Sequence, residues 1–508
     1  MLQKITYVIE NIVKCIAIFP LLLITILMIR YQNNVVMNIS EKSMISINNI
    51  TIIIPVLLLT IGLFGVLRAV RKVNAWWVFG IPAVIYFLVG MFLIWKIDMT
   101  QYNDSGLCYT YATGFLQGDY SGFQKGEYVY EYPHQLGLIL YDSFLILLCD
   151  KISFVYCVNL LWVIAGTFIL WRGVLGESQN HREGKITLLL AFGFVPQFLF
   201  LFFAYGLVPG LGCLLFALYF WGRYFQKEEK GCLVLGLLFL GAACLIRMNY
   251  VIAGIALLII GLLQGIKRKK KAAFVACILL LLIMILPKVL VTKGVERITG
   301  ADLSQGMPAT LHIAMGLQNN KERAAGWYNG FNHTVYMETG CDVERSRAIG
   351  LETIEERLSY FVHHPRKGLE FFGEKLITTW CEPTFQSVWS GPMMGVNGKT
   401  KVPQLQEFYS GGASFKAFSF IMNGFNILIF VFSAFYTVWN LLLEKQSMGL
   451  LKLFGILFFL GGFLFHLFWE TKSQYVYPYV VCLLPVAAGG VQVVLERCFS
   501  KSPLKDLG

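Results

Sequence analysis

The chain has 508 residues, 56% of them hydrophobic and only 14% charged, where an average soluble protein carries about 25% charge. Its mean hydropathy is +0.63, so it cannot coat several soluble domains with charge, and its abundance of Leu, Ile and Phe excludes disorder. The net charge of +12 fits basic cytoplasmic loops rather than a nucleic-acid surface, and the chain reads as an all-α polytopic membrane protein.

A membrane-spanning helix needs about 20 mostly apolar residues. Three such runs precede residue 100, near 12–30, 49–69 and 75–96. The first reads as a span rather than a cleavable signal, because no small-residue cleavage site follows it. A polar, aromatic stretch from Asp98 to His134 comes next, then a short apolar stretch, 135–149, interrupted by Asp142 and Ser143. Further spans are expected near 153–171, 186–204, 207–222, 232–246, 250–266 and 272–292. A long polar region covers 293–414, and spans near 416–441, 453–469 and 475–495 close the chain.

Whether 135–149 crosses the membrane decides the topology. With twelve spans and the N-terminus inside, Arg68, Arg71 and Lys72, then Arg172, Arg182 and Lys185, then Arg223, Lys227 and Lys230 all face the cytoplasm. The basic run from Lys267 to Lys271 does too. A thirteenth span at 135–149 would invert every later loop and expose that run outside, against the positive-inside rule. The segment therefore reads as an interfacial helix at the outer surface. The resulting division is an N-terminal two-span addition (1–74), a transmembrane core (75–292) with a first outer loop (97–152), an extracytoplasmic region (293–414) and a three-span C-terminal segment with a cytoplasmic tail (415–508). In the large loop, 352–361 and 368–379 have helical patterns and 390–412 reads as loop.

The polar residues that could carry chemistry gather in the outer segments. Asp104 opens the first large loop in Asn103-Asp-Ser-Gly, ahead of a helix expected over 106–116. A carboxylate there is either a helix cap or a general base for an acceptor nucleophile. Asp98 is a second acid, directly after the span. The stretch Tyr128-Val-Tyr-Glu-Tyr-Pro-His-Gln-Leu-Gly137 holds tyrosines that suit interface anchoring, together with Glu131 and His134, which that role does not explain. Arg247 ends an apolar helix in Leu245-Ile-Arg-Met-Asn, where it either snorkels to lipid phosphate or grips a substrate phosphate with its planar fork. Glu470 and Lys472 open a short turn, Trp469-Glu-Thr-Lys-Ser-Gln-Tyr-Val-Tyr-Pro478, which suits a head-group site or an aromatic belt. Lys375, Trp380, Glu382 and Trp389 form a cluster in the large loop, read as an exposed Trp-and-acid sugar site or as ordinary interface Trp.

The 12 cysteines include no CxxC pair, and no Cys/His spacing fits zinc. Cys108, Cys341 and Cys381 alone fall clearly in polar segments. No acidic cluster reads as a divalent-cation site, no Walker-type motif is present, and no cofactor is expected.

The ordered set of these residues resembles the GT-C superfamily of membrane glycosyltransferases, which includes the protein O-mannosyltransferases, aminoarabinose transferases and RgtA/B/C/D-like enzymes. The matching features are Asp104, Ala112, Phe115, Gly118 and Asp119 after a span, then Tyr132-Pro-His-Gln-Leu-Gly137, Tyr205-Gly-Leu-Val-Pro-Gly210, Leu245-Ile-Arg-Met-Asn249 and Trp469-Glu470 with Gln474-Tyr475 and Pro478. They extend from about residue 76 to 480. The resemblance implies transfer of a sugar from a polyprenyl-phosphate carrier to a protein, lipid or glycan acceptor at the extracytoplasmic face of the plasma membrane. It implies Asp104 as base, with His134, Arg247 and Lys472 at the carrier phosphate and Glu131 and Glu470 at the donor. The chain departs from the family in lacking an acid in the turn Tyr205 to Gly210 and in having Gln474 where relatives often have Arg. The competing readings are a surface-polysaccharide polymerase or ligase, which shares the lipid-linked donor, and a transporter. Transporters place ionisable residues mid-membrane and show repeated halves. Here no repeat is visible and His466 is the main ionisable residue inside a span.

Overall fold

The computed structural model describes residues 2–178, 181–320, 322–444 and 446–498. Ten helices among them are long and apolar enough to cross a membrane, and strands are confined to two small antiparallel pairs. The protein is an almost wholly helical, multi-pass membrane protein. Tyr477–Cys498 is its central helix, packed against Ala413–Trp439 and Leu450–Phe468. Leu2–Arg30 lies against those same two helices, whereas Ile50–Ala69, Ala75–Lys96 and Lys271–Thr299 keep most of their apolar surface on the outside.

One expected span is broken. The 186–204 run forms two parts, His181–Gly193 and Val195–Phe202, bent by 54° at Phe194. Pro196 explains the break. Proline has no N–H to bond the carbonyl four residues back and its ring clashes with that carbonyl, so the first helix cannot continue through it, whereas the first turn of a new helix accepts it. The 232–246 run becomes Lys230–Ile246, 17 residues, which reaches about 25 Å and falls short of a full hydrocarbon core. The 135–149 stretch forms a short apolar helix, Leu136–Leu148. This helix lies against Asn103–Gln117 and Lys230–Ile246. Gly137 permits the second contact, since any side chain there would collide with the Leu245 carbonyl.

In the large polar region the helices run longer than their apolar patterns, as Val343–His363 and Pro365–Trp380. Asp342 caps the first with its side chain, accepting from Glu344 N and Arg345 N. The 390–412 stretch contains a strand, Gly398–Thr400, and a short helix, Pro403–Tyr409. That strand pairs with Ile97–Met99, so the two large loop regions are fastened together. Asn397 reinforces the joint, its carbonyl accepting from Thr100 N and its side chain donating to Thr100 O, both at 3.0 Å. Between the first two spans, Tyr31–Val35 and Ser43–Ile47 form a hairpin that is anchored to the same loop end of the bundle: Asn33 donates to Thr378 O at 3.1 Å. Cys108, Cys341 and Cys381 are all free thiols.

Candidate functional site

A cavity of about 1340 Å³ opens among the loop ends of the helices. Asp104, Glu131, His134, Arg247, Glu470 and Lys472 all line it. They come from four stretches of chain spread over more than 360 residues, and each has a distinct local setting.

Asp104 lies in the first turn of Asn103–Gln117. It is not the cap, because Tyr102 occupies that position and no side chain caps the helix. In the first turn a carboxylate meets the positive end of the helix dipole. Its Oδ2 accepts from the Tyr205 hydroxyl at 3.3 Å. The side chain is open to the cavity, yet the enclosing walls raise its pKa by desolvation, opposed chiefly by Lys472.

Tyr205 joins Asp104 to Arg247. The guanidinium donates to Tyr205 O at 2.8 Å and lies over the Tyr205 and Tyr475 rings, 5.0 and 5.4 Å from their centroids. Arg is well suited to such stacked positions. Lys288 reaches the same cavity from Lys271–Thr299, its nearest polar partner being Met248 Sδ at 3.6 Å. Among the described residues, no carboxylate forms an ion pair with either cation. His134 faces the cavity with no hydrogen-bond partner among those residues. Burial lowers its pKa to about 3, helped by His312, Lys288 and Arg247, so it is a neutral imidazole that can donate one N–H. Three donors without an acidic partner therefore line one cavity, a composition that suits an anion.

The remaining residues pair with one another. Glu470 is pushed up to about 7 by burial, against the pull of Lys472, and accepts from the Tyr475 hydroxyl at 3.5 Å. His312 approaches Glu470 at 4.0 Å and stacks on Trp469 with ring centroids 5.2 Å apart. Lys472 donates to Glu41 of the hairpin at 2.8 Å. Burial opposes the Lys472 charge, but Glu41, Tyr475 and Glu470 overcome it and raise its pKa. Glu131 is buried against His333 at 2.9 Å, and desolvation raises its pKa.

The other sequence candidates divide. Asp98 lies in the strand joint, exposed and outside the cavity lining. Trp380 is not an exposed sugar platform. It is 1% exposed and packs on Phe430, Phe459 and Tyr479. Glu382 is also buried, and its carboxylate is used within its own loop by Thr384 and Gln386 N. Only Trp389 of that cluster lines the cavity. Lys375 acts from behind: 1% exposed, it donates to Gly316 O at 2.5 Å and Trp469 O at 2.9 Å. It thus ties the helix carrying His312 to the turn carrying Glu470. Gly316 makes the approach possible, because a side chain there would strike the Phe468 carbonyl. Lys375→Ala leaves both carbonyls without their donor. Losing such a partner costs about 1–3 kcal/mol per buried group, so the variant is expected to unfold at a clearly lower temperature in detergent; an unchanged midpoint would remove the clamp.

Sequence reasoning missed Glu41, Lys288, His312 and His333. Lys288 had a signal, being a charge inside an apolar run. The others are brought in by long-range packing and had none.

No protein-family model, curated protein or solved structure matches this chain.

Proposed function

We propose that the protein is an integral membrane glycosyltransferase that moves a sugar from a polyprenyl-phosphate carrier to an acceptor at the extracytoplasmic face of the plasma membrane. The observation that carries this reading is the cavity's lining. Asp104 shares it with the acid-free donors Arg247, Lys288 and His134, and the wall continues as apolar surface through Cys244, Leu245, Ile283, Met284 and Val289. An amphiphilic donor needs both parts: a polar chamber for phosphate and sugar, and a groove between helices for its lipid tail.

The chemistry follows from those positions. Asp104 takes the proton of an acceptor hydroxyl as its oxygen attacks the anomeric carbon. The bond from that carbon to the phosphate oxygen breaks, and the lipid phosphate leaves with the electron pair. Arg247, Lys288 and neutral His134 stabilise the departing anion through charge-assisted hydrogen bonds. The free energy that drives transfer is released on cleaving the activated sugar–phosphate bond of the donor, so no nucleotide is consumed. The deciding assay is transfer from a panel of lipid-phosphate sugars to candidate acceptors by purified protein in detergent. Transport of the same lipids across vesicles without transfer would favour the transporter instead.

The associated topology has twelve spans and both termini cytoplasmic, counting the bent pair and Lys230–Ile246 as spans and leaving Leu136–Leu148 at the outer surface. Lys269→Cys is then expected to resist a membrane-impermeant thiol reagent added to intact cells, with labelling appearing only after permeabilisation. Efficient labelling from outside would overturn this arrangement.

A further inference from the structure

The hairpin between the first two spans sends one acidic side chain into the cavity. Glu41 is almost fully buried, its side chain 8% exposed. Its carboxylate takes the Lys472 ammonium at 2.8 Å, the Gln386 amide at 3.0 Å and Arg323 at 3.7 Å. The backbone at Glu41 has φ of 49°, in the left-handed region that non-glycine residues rarely occupy. Such a conformation persists only where the surroundings over-determine it, and here they do. Arg323 donates to Ser40 O at 2.7 Å and Trp389 to Asn38 O at 3.0 Å, while Val36 N closes the loop onto Lys42 O at 2.9 Å. The loop is gripped on both sides of the residue that points inward.

We infer that Glu41 is a positioning residue of the site: it holds the Lys472 ammonium on the Asp104 and Glu470 side of the cavity and keeps it from serving as a phosphate ligand. The naming of those sides rests on the glycosyltransferase reading; the pairing itself does not. The cavity's cations then fall into two groups. Among the described residues, Arg247 and Lys288 have no acidic partner and are available to an anion, whereas Arg323 pairs with Glu41 and Lys293 with Glu296. Lys472 already has one, and it faces two carboxyl groups whose ionisation depends on a fixed positive charge nearby. The first pair of spans, through this loop, thereby completes a site whose other parts come from the rest of the chain.

The test uses the full-length protein in detergent, lysine labelling with limiting N-hydroxysuccinimide ester and quantification of each lysine by peptide mass spectrometry. In the parental protein Lys472 should resist labelling, and so should Lys375, which is 1% exposed. Glu41→Gln preserves shape and removes the charge. Loss of an opposite charge lowers a lysine pKa by about a unit or more, so labelling of Lys472 should rise about tenfold while Lys375 stays protected. Glu41→Asp, which keeps the charge, should remain near the parental value. Unchanged Lys472 labelling in Glu41→Gln overturns the inference. Labelling of Lys375 as well would show that Glu41 merely holds the fold, and overturns it too. A second arm measures farnesyl phosphate binding by native mass spectrometry. Release of Lys472 should tighten binding in Glu41→Gln by about tenfold, the gain of one charge-assisted hydrogen bond; equal or weaker binding counts against the inference. Failure of the parental protein to bind farnesyl phosphate would strike the glycosyltransferase reading instead, and the labelling arm would still decide the role of Glu41.

Discussion

Arg247→Ala is expected to weaken use of a lipid-phosphate sugar donor by about 1.5–3 kcal/mol, roughly ten- to a hundredfold in kcat/KM. The effect is large because the guanidinium is already oriented. One Nη is spent on Tyr205 O, and the guanidinium carbon lies over both the Tyr205 and Tyr475 rings. Arg247 lines the cavity, and among the described residues no carboxylate pairs with it. Arg247→Lys should recover little, because an ammonium has neither the fork nor the flat face that suits a position over aromatic rings. A snorkelling anchor makes the opposite forecast: it tolerates lysine, and even alanine would leave donor kinetics unchanged. Parental kinetics in Arg247→Ala would therefore reduce this residue to an interface anchor.

The helical bundle was legible in the sequence because its signal is local. A run of about 20 apolar residues has few alternatives to a buried or lipid-facing helix, and nearly every such run became one. The exception, 186–204, also had a local cause in Pro196. The candidate residues were legible for a related reason. Asp104, Arg247, Glu470 and Lys472 lie close to ends of long apolar helices and Glu131 and His134 just before the short helix Leu136–Leu148, and these helix ends converge on one cavity. Their partners were not legible. Glu41 meets Lys472 across 431 positions and His333 meets Glu131 across 202, and nothing near either residue in the chain marks the pairing. Trp380 and Glu382 failed in the reverse direction. Next to each other they resemble a sugar platform, but the end of a helix that packs into the bundle buries its last turn.

Asp104→Asn is expected to abolish transfer while leaving the fold intact. Loss of a general base typically costs about 10²–10⁴ in rate, and asparagine cannot accept the acceptor's proton. The fold has little at stake. Tyr102, not Asp104, is the N-cap; a first-turn carboxylate gains about 0.3–1 kcal/mol from the helix dipole, but desolvation outweighs the favourable interactions and raises its pKa, so the folded state does not depend on this charge. The Tyr205 hydroxyl, at 3.3 Å, can still donate to the amide oxygen. A structural role for Asp104 therefore forecasts near-parental activity and a thermal midpoint at or slightly above the parental one. A catalytic role forecasts the same midpoint with activity lost. Both quantities can be read on one purified variant. If Asp104→Asn transfers sugar at the parental rate, the base lies elsewhere. Glu470 is then the stronger of the remaining carboxyls, because burial raises its pKa to about 7 and a base poised near neutrality is what proton transfer at that pH requires. Glu131, held against His333 at 2.9 Å, would have to break that contact first.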